Sequence, residues 1–455
     1  MVGEWVETTL GALTDWASGG TPIKSNPEYW DGNIPWISAS SMKSGRLSKS
    51  DRMLTSQGLE RGSRLARKGE VLMLVRGSEL HKRIPVGVAT RDVAFNQDVK
   101  ALCAKDGIVS SFLYYWLTGN EAMLLTKVEH TGIGAGKLDT DVLKNLPVYL
   151  PPIEEQHAIA KILGTLDDKI ELNRRTNETL QAMARALFKA WCVDFEPVRA
   201  KLEGRWQRGE SLPGLPAHLY DLFPARLIES EWGEIPEGWE YVSFGSLLES
   251  TIGGDWGKEF PEGDHSEAVS IIRGTDFPDV SSGGVGKAPI RYTTAKKLAS
   301  RQLQAGDIVV EISGGSPIQP TGRSIFIMEA TLERFSNAVV CASFCRRFRP
   351  KSTELGVLIF MHLQHIYASG STWEYQHQST GIANFQTTYF LDVEMVAIPS
   401  AQLLGRFASK TQALLEKISS NENVELVKLR DTLLPKLISG ELCVPDAERI
   451  TGAAL

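Results

Sequence analysis

The apolar residues between Pro151 and Glu196 recur at alternating steps of four and three, which is the heptad spacing of a helix that packs along one seam. Pro151 and Pro152 suit a helix entrance, and acidic residues follow them where the helix dipole favours negative charge. At about 1.5 Å per residue, about 40 residues make a rod of roughly 60 Å. The pattern therefore predicts a helix too long for the core of one compact domain, with this seam: Ile159, Leu163, Leu166, Ile170, Asn173, Asn177, Leu180, Ala184, Leu187 and Trp191.

A second segment, from Pro399 to Gly440, repeats the same spacing with Leu404, Phe407, Thr411, Leu414, Ile418 and Asn421. The sequence around Leu166–Asn173 reads directly against Leu414–Asn421. An asparagine in an apolar seam specifies register when it faces a polar partner, which favours pairing of the two helices with each other. The alternative is that each helix packs separately on its own domain.

The rest of the chain predicts mixed α and β structure. Short apolar runs at Val71–Val75 and Val86–Ala89 lie between turn-forming residues and predict strands, and residues 111–125 predict a helix. We therefore expect an α+β protein in which two mixed domains are separated by two long helices forming an antiparallel coiled coil. The predicted segments are a first domain at 1–150, a central helix at 151–197, a linker at 198–235, a second domain at 236–399, a C-terminal helix at 400–441 and a tail at 442–455.

The two predicted domains resemble each other, which indicates an internal repeat. Gly19-Gly20 matches Gly253-Gly254, and Gly69–Met73 matches Gly306–Val310. Near the end of each domain, Thr131-Gly132-Ile133 matches Thr380-Gly381-Ile382. The low identity between the repeats predicts one shared fold with separately diverged surfaces.

Composition narrows the class of protein. The 455 residues suffice for two or three domains, and no run of 18 apolar residues predicts a membrane span. Five scattered cysteines and no leader-like start lead us to expect a cytoplasmic protein without membrane contact. The formal net charge is −6, so any binding of nucleic acid must come from local basic patches.

One basic stretch, residues 61–91, stands out in this acidic chain. Within it Arg76 and Ser78 directly follow a predicted strand, and Lys82 and Arg83 lie in the next loop. Arginine can bond guanine through two hydrogen bonds, whereas lysine mainly neutralises phosphate. These four residues are candidate DNA contacts, and an ordinary solvated loop is the alternative.

The second domain offers a different set at the matching positions. Serine and glutamine can bond base edges, and glycine lets the backbone approach a phosphate. His377 lies in a polar run that is either a reading loop or a plain surface loop. The basic cluster of Arg346, Arg347, Arg349 and Lys351 predicts a phosphate-facing or solvated patch and not a base reader. The candidate DNA contacts of this domain are Arg273, Thr275, Ser313, Ser316, Gln319, Arg323 and His377.

Motifs for catalysis or nucleotide binding are incomplete. Gly132–Lys137 lacks the first glycine and the final serine or threonine of a phosphate loop. Asn26-Pro27-Glu28-Tyr29 differs from the Asn-Pro-Pro-Tyr tetrad of adenine methyltransferases at Glu28. No dinucleotide-type glycine motif follows a strand. We therefore predict no catalytic residue, no metal site and no cofactor bound by this chain.

Several runs resemble the specificity subunit of type I restriction-modification systems, and the resemblance extends over essentially the whole chain. They include Gly19–Pro22 with Asn26–Ser38, then Pro151–Gln156, Gly233–Trp239 and Leu433–Leu442. The second domain departs at its start, where Gly253–Trp256 is not followed by a proline-tryptophan-isoleucine-serine run.

The resemblance implies a DNA-reading protein without chemistry of its own. Each globular domain would read one half of a bipartite, asymmetric site on double-stranded DNA, and the paired helices would set the spacing. The implied partners are two methyltransferase subunits, which bring S-adenosylmethionine, and motor-nuclease subunits. Two alternatives stay open: a stand-alone adenine methyltransferase with fused recognition domains, and a coiled-coil DNA-binding scaffold or regulator.

Overall fold

The computed structural model describes residues 5–130, 134–315, 319–379, 382–419 and 422–452. The chain divides into two compact units. Unit 1 comprises Met1–Ile170 and Glu425–Leu455, and unit 2 comprises Glu171–Val424. Among the described residues, no helix is long and apolar enough to cross a membrane.

In its described part, unit 1 contains fourteen strands, most of them short. They are β1 (Val6–Thr9), β2 (Thr14–Ser18), β3 (Trp30–Ile37), β4 (Arg46–Leu47), β5 (Met53–Leu54), β6 (Arg64–Ala66), β7 (Val71–Leu74), β8 (Arg76–Gly77), β9 (Val86–Ala89), β10 (Val93–Phe95), β11 (Val99–Ala104), β12 (Glu129–His130), β13 (Gly136–Lys137) and β14 (Pro147–Leu150).

Unit 2 contains a further fourteen strands in its described part. They are β15 (Leu227–Ser230), β16 (Gly233–Pro236), β17 (Glu240–Ser243), β18 (Leu248–Gly253), β19 (Glu267–Ile272), β20 (Ile290–Thr293), β21 (Ile308–Glu311), β22 (Ser313–Gly314), β23 (Ser324–Phe326), β24 (Ala338–Cys341), β25 (Cys345–Pro350), β26 (Gln376–Ser379), β27 (Ile382–Phe385) and β28 (Met395–Ile398).

The α-helices of the described chain range from one turn to 36 residues. They are α1 (Leu10–Leu13), α2 (Ser56–Gly62), α3 (Ser110–Gly119), α4 (Glu121–Leu125), α5 (Thr140–Lys144), α6 (Ile153–Phe188), α7 (Glu196–Leu202), α8 (Phe277–Ser281), α9 (Ala295–Arg301), α10 (Glu329–Leu332), α11 (Thr353–Ser369), α12 (Thr387–Val393), α13 (Ala401–Ser419), α14 (Asn423–Ile438) and α15 (Val444–Gly452).

The two units repeat one sheet topology, which confirms the internal repeat. In unit 1 the main sheet has the order β2-β11-β7-β9-β4, and in unit 2 the order β18-β25-β21-β23. A second sheet contains the parallel pair β3 and β10 in unit 1 and the parallel pair β19 and β24 in unit 2. A small three-stranded sheet, β12-β13-β8, corresponds to β26-β27-β22. The antiparallel pair of β1 with β14 corresponds to that of β17 with β28.

The helices follow the same repeat. Thr55 caps α2 by accepting a hydrogen bond from the backbone of Gly58 at 3.0 Å, and Thr294 caps α9 in the same way from Lys297 at 3.3 Å. The predicted helix at 111–125 is divided into α3 and α4, which meet at Asn120. Its apolar side is buried as predicted, with Phe112, Tyr115 and Trp116 in the core of unit 1.

Two glycines show which positions of the two units correspond to each other. A Cβ atom on Gly19 would lie 2.1 Å from the Phe95 carbonyl oxygen, and one on Gly254 would lie 2.1 Å from that of Ala342. No side chain fits at either position. The structural equivalent of Gly19 is therefore Gly254, one residue along from the pairing that the sequence indicates.

The long helix α6 contributes to both units, and in each it packs as the heptad pattern predicts. Its seam residues from Ile159 onward are all buried or half-buried, and the helix is followed by a π-helical turn at Lys189–Val193 that buries Trp191. In unit 1, the Asp167 carboxylate accepts hydrogen bonds from Tyr115 at 2.7 Å and from Arg430 of α14 at 2.9 Å. Helix α6 is therefore fixed to α3 and to α14 through one side chain.

In unit 2, α6 runs antiparallel to α13. The Asn173 amide donates to the Glu422 carboxylate at 3.3 Å, the Asn177 amide reaches the Ile418 carbonyl oxygen at 3.5 Å, and Phe188 packs on Phe407. The partner numbers fall as the α6 numbers rise, which is the mark of an antiparallel pair. Asn421, the predicted partner of an α6 asparagine, lies outside the described residues.

The predicted linker contributes apolar side chains to unit 2. Residues 198–235 include most of α7, a 3₁₀ turn and the larger part of the β15–β16 hairpin. Trp206, Leu219 and Phe223 are buried there, and the Trp206 ring meets Phe223 edge to face. The proline residues that suggest a linker in the sequence thus lie between segments that pack.

Candidate nucleic-acid interface

The sheet topology gathers the candidate residues of unit 1 at one edge. Strands β2 and β7 are both antiparallel to β11, so β2 and β7 run in the same direction and end at the same edge of the sheet. The segments that leave or enter there are 19–29, 75–85 and the turn 96–99. We call these three segments, with the small sheet β12-β13-β8, the loop edge of unit 1.

Arg76 lies in β8, opposite Lys137 of β13. Gly77 follows with a φ of +149°, a conformation that favours glycine and that turns the chain into the 3₁₀ helix beginning at Ser78. The Arg76 and Lys82 side chains are exposed, and in the described part of the chain neither makes a hydrogen bond or an ion pair. These two cations are therefore available to an anionic ligand.

Arg83 differs from them because its guanidinium group already has partners. It donates to the Met42 carbonyl oxygen at 3.1 Å and lies 3.4 Å from the Glu79 carboxylate. The structure thus separates Arg83, which also holds the local backbone, from the freely exposed Arg76, Ser78 and Lys82.

The loop edge of unit 1 also contains residues that the sequence interpretation did not select. The Thr21 hydroxyl donates to the Gln97 side-chain oxygen at 2.7 Å, and the Lys100 ammonium group donates to the Ser18 hydroxyl at 2.5 Å. Lys137 faces Arg76 across the small sheet. These residues share a position at the end of a strand. That position indicates the loop edge only when the directions of the strands are known.

Unit 2 has the equivalent edge, formed by segments 254–266, 312–315 and 319–323, the turn 342–345 and the small sheet β26-β27-β22. We call it the loop edge of unit 2. Ser313 of β22 pairs with Asn384 of β27, and its hydroxyl donates to the Asn384 side-chain oxygen. His377 of β26 lies opposite Asn384 on the other side of β27. The structure therefore brings Ser313 and His377 together around Asn384, which sequence reasoning missed.

The remaining polar candidates of unit 2 are distributed around this edge. Gln319 and Thr275 are exposed, whereas Ser316 lies outside the described residues. Nearby, the Gln376 side-chain oxygen accepts hydrogen bonds from the backbone and the hydroxyl of Thr321, at 3.0 and 3.3 Å. This contact joins residues 319–323 to the small sheet.

Two predicted contact arginines of unit 2 are held by buried carboxylates. Arg323 forms two hydrogen bonds of 2.8 Å with Glu311, and Arg273 forms hydrogen bonds of 2.8 and 2.9 Å with Asp276. Burial alone would raise the pKa of Asp276, but the hydrogen bonds from Arg273 and from two backbone amides hold that pKa below 3.8. A guanidinium group in such a pair is held in a fixed orientation by its carboxylate, so these arginines first of all position the loops.

The cluster on β25 is an internal network and not the surface patch that its composition predicts. Arg347 is 5% exposed and donates to the carbonyl oxygens of Ser300 and Gln302. Arg349 forms two hydrogen bonds, of 2.7 and 2.8 Å, with Asp307, which is 1% exposed. The prediction of a solvated patch was wrong because a strand in the middle of a sheet points its side chains into packed layers.

The described residues contain no group of three His, Cys, Asp or Glu side chains placed to hold a metal ion. What the two loop edges offer is exposed cations and amides on short strands. Such groups bind phosphate oxygens and the edges of bases. The arrangement is suited to the binding of nucleic acid by two related units.

Comparison with known proteins agrees with this class. A family model described as the type I restriction modification DNA specificity domain matches residues 3–182. The chain is 27% identical to the type I restriction enzyme MjaIX specificity subunit of Methanocaldococcus jannaschii, over 97% of both proteins. It is 25% identical to the HindI specificity subunit of Haemophilus influenzae over 74% of this chain and 78% of that protein. In fold it is similar to the crystal structure of a type I restriction-modification S subunit from M. genitalium, with a TM-score of 0.54, 15% identity and coverage of 95% and 96%.

Residues 3–182 thus match the type I restriction modification DNA specificity domain, and the chain is similar over nearly its whole length to specificity subunits of type I restriction enzymes. The resemblance suggested by the sequence motifs is thereby confirmed.

Proposed function

We propose that each unit reads one half of a bipartite, asymmetric DNA site. The observation that carries this proposal is the repeated sheet topology with differently composed loop edges. Unit 1 presents Arg76 and Lys82, whereas unit 2 presents Ser313, Gln319 and His377 on the equivalent segments. Related folds with different side chains can bind DNA in related ways while reading different bases.

The chain works with catalytic partners in this proposal and catalyses no reaction itself. Two methyltransferase subunits bring S-adenosylmethionine and methylate adenine at the site that the chain selects, and motor-nuclease subunits join them for restriction. Support comes from the similarity to type I specificity subunits and from the incomplete methyltransferase tetrad at Asn26–Tyr29.

A genome-wide map of methylated adenines, in source cells with and without this gene, tests the proposal. We expect one bipartite motif to lose methylation when the gene is deleted and to regain it on complementation. A control strain carries Arg76→Ala together with Ser313→Ala, so that loss of reading is separated from loss of the gene. An unchanged map would contradict the proposed function.

Purified components distinguish the alternatives. Methyl transfer by this chain alone would support a stand-alone methyltransferase, and methylation that needs added methyltransferase subunits supports the present proposal. If DNA binding and cellular function were independent of any methyltransferase subunit, a scaffold or regulator would be the better description.

A further inference from the structure

A tight turn at the loop edge differs in an unusual way between the units. In unit 1 the turn Asn96–Val99 joins β10 to β11, with the Val99 amide donating to the Asn96 carbonyl oxygen at 3.3 Å. In unit 2 the turn Ala342–Cys345 joins β24 to β25, with the corresponding bond at 2.8 Å. The two turns occupy equivalent places in the repeat, so their tip residues can be compared directly.

The residues at the tips of the two turns differ in polarity. Unit 1 has Gln97 and Asp98 there, as expected for a short solvated turn. Unit 2 has Ser343 and Phe344, and the Phe344 ring is 61% exposed. In the described chain this ring belongs to none of the buried apolar clusters and makes no aromatic pair. A phenyl ring at the tip of a turn exposes apolar surface to water, which is unfavourable. A polar side chain at that position would avoid this cost.

The backbone of Phe344 is also hydrogen-bonded at the start of β22, the strand that contains the candidate DNA contact Ser313. Its carbonyl oxygen accepts hydrogen bonds from the backbone amides of Ile312 at 2.9 Å and Ser313 at 3.2 Å. The equivalent contact in unit 1 joins the Val75 amide to the Asp98 carbonyl oxygen at 2.8 Å. Phe344 therefore lies beside β22, at the loop edge that also contains Asn384 and His377, and its ring is exposed there.

We propose that Phe344 is a specificity-determining wedge, which presses its ring against or between the base pairs of the half-site bound by unit 2. This inference rests on the proposed function, because it requires that the loop edge of unit 2 faces DNA. Apolar side chains that enter a base step partly unstack it and favour flexible sequences. Since Asp98 occupies the equivalent place, only one of the two half-sites is deformed in this way.

The test uses the full chain assembled with its methyltransferase subunits and duplexes that carry 2-aminopurine at successive positions of both half-sites. We expect fluorescence to rise at one step, in one half-site only. Phe344→Ala should remove that rise and weaken binding on the order of 10- to 100-fold, as for loss of one aromatic stacking contact. Phe344→Leu, which keeps an apolar wedge, should retain most of the signal.

Trp232→Ala provides the matched control, because Trp232 is 58% exposed at the tip of the β15–β16 hairpin, a separate two-stranded sheet that shares no strand with the loop edge. It should leave fluorescence and affinity unchanged. Equal effects of the two alanine variants, or a Phe344→Ala variant that binds and unstacks normally, would overturn the wedge while leaving the proposed function intact. Failure of the unsubstituted assembly to prefer its methylated motif would instead overturn both.

Discussion

Arg76 and Arg323 carry the same charge but differ in the surroundings of their guanidinium groups. Arg76 is exposed and makes no side-chain bond in the described chain, whereas Arg323 forms two hydrogen bonds with buried Glu311. Sequence cannot make this distinction, because the carboxylate that binds Arg323 lies twelve residues earlier on the neighbouring strand. The two residues should therefore respond to substitution in different ways.

Substitution of Arg76 by alanine should weaken specific DNA binding by about 1–3 kcal/mol and relax the preference at one base pair. Lys82→Ala should instead weaken binding evenly across sequences and reduce the salt dependence by about one ion. Binding titrations at several salt concentrations measure both effects. Lys161→Ala, on the exposed face of α6, is the charge control, and an equal loss in that variant would contradict the assignment.

Arg323→Met should act mainly on stability. Removing one partner of a buried ion pair leaves Glu311 without compensation, and we expect a loss of about 3 kcal/mol in the free energy of unfolding. Urea titration of the full chain measures this loss. The double variant Arg323→Met with Glu311→Leu should recover much of it, and a single variant with normal stability but lost specificity would show instead that Arg323 reads a base.

The Arg273–Asp276 pair predicts a loss of stability in acid. The pKa of Asp276 is lower in the folded chain than its ordinary 3.8, so the pair stabilises the fold fully above that value and loses its contribution as pH falls through the lowered pKa. Asp276→Asn should be less stable at pH 7 but should show a flatter decline between pH 5 and pH 2. Urea unfolding across that range measures both slopes, and parallel curves would exclude this pair as a cause.

At the scale of elements, heptad spacing predicted the long helix α6 well, because burial along a seam is a local property of sequence. The segment predicted as one helix at 400–441 contains two described helices, α13 and α14, with Glu422 in a turn before α14. The predicted seam residues of α6 are buried or half-buried, from Leu163 to Leu187. The register between two paired helices is harder to predict from the sequence. The sequence matches Leu166 with Leu414 as repeats, yet repeats in an antiparallel pair do not face each other, and the observed contacts place Asp167 beside Arg430.

A deletion experiment must therefore remove facing segments. Removing Leu166–Leu172 together with Asn423–Leu429 takes one heptad from each partner, or about 10 Å of helix. If the paired helices set the spacing, the spacer of the methylated motif should shorten by about three base pairs, while both half-sites stay the same. Adenine methylation mapping measures the spacer, and deletion from α6 alone is the control, which should abolish binding through lost register.

Only part of the candidate DNA-binding site could be predicted from the sequence, because its contacts also join residues that are distant along the chain. Local patterns placed Arg76, Ser78 and Lys82 correctly after a strand. Nothing local indicates that Asn384 lies beside Ser313, 71 residues away, or that the arginines of β25 turn inward. Such contacts depend on strand order and direction, which a single sequence specifies weakly.

For the whole molecule, the repeat predicts modular specificity. Exchange of residues 1–150 for the corresponding segment of another specificity subunit should change one half of the methylated motif and leave the other half and the spacer unchanged. The reciprocal exchange of residues 236–399 is the matched control and should alter the opposite half. Simultaneous change of both halves in either chimera would contradict separate reading by the two units.

Each globular segment is closed by its own first and last strands. β1 pairs with β14, from Val6 opposite Leu150 to Thr9 opposite Pro147, and β17 pairs with β28 in the same manner. Entry and exit points of each segment thus lie only about 5 Å apart. If each segment reads one half of the site as proposed, the exchange of a whole segment between related genes would change the target while the rest of the chain keeps its fold.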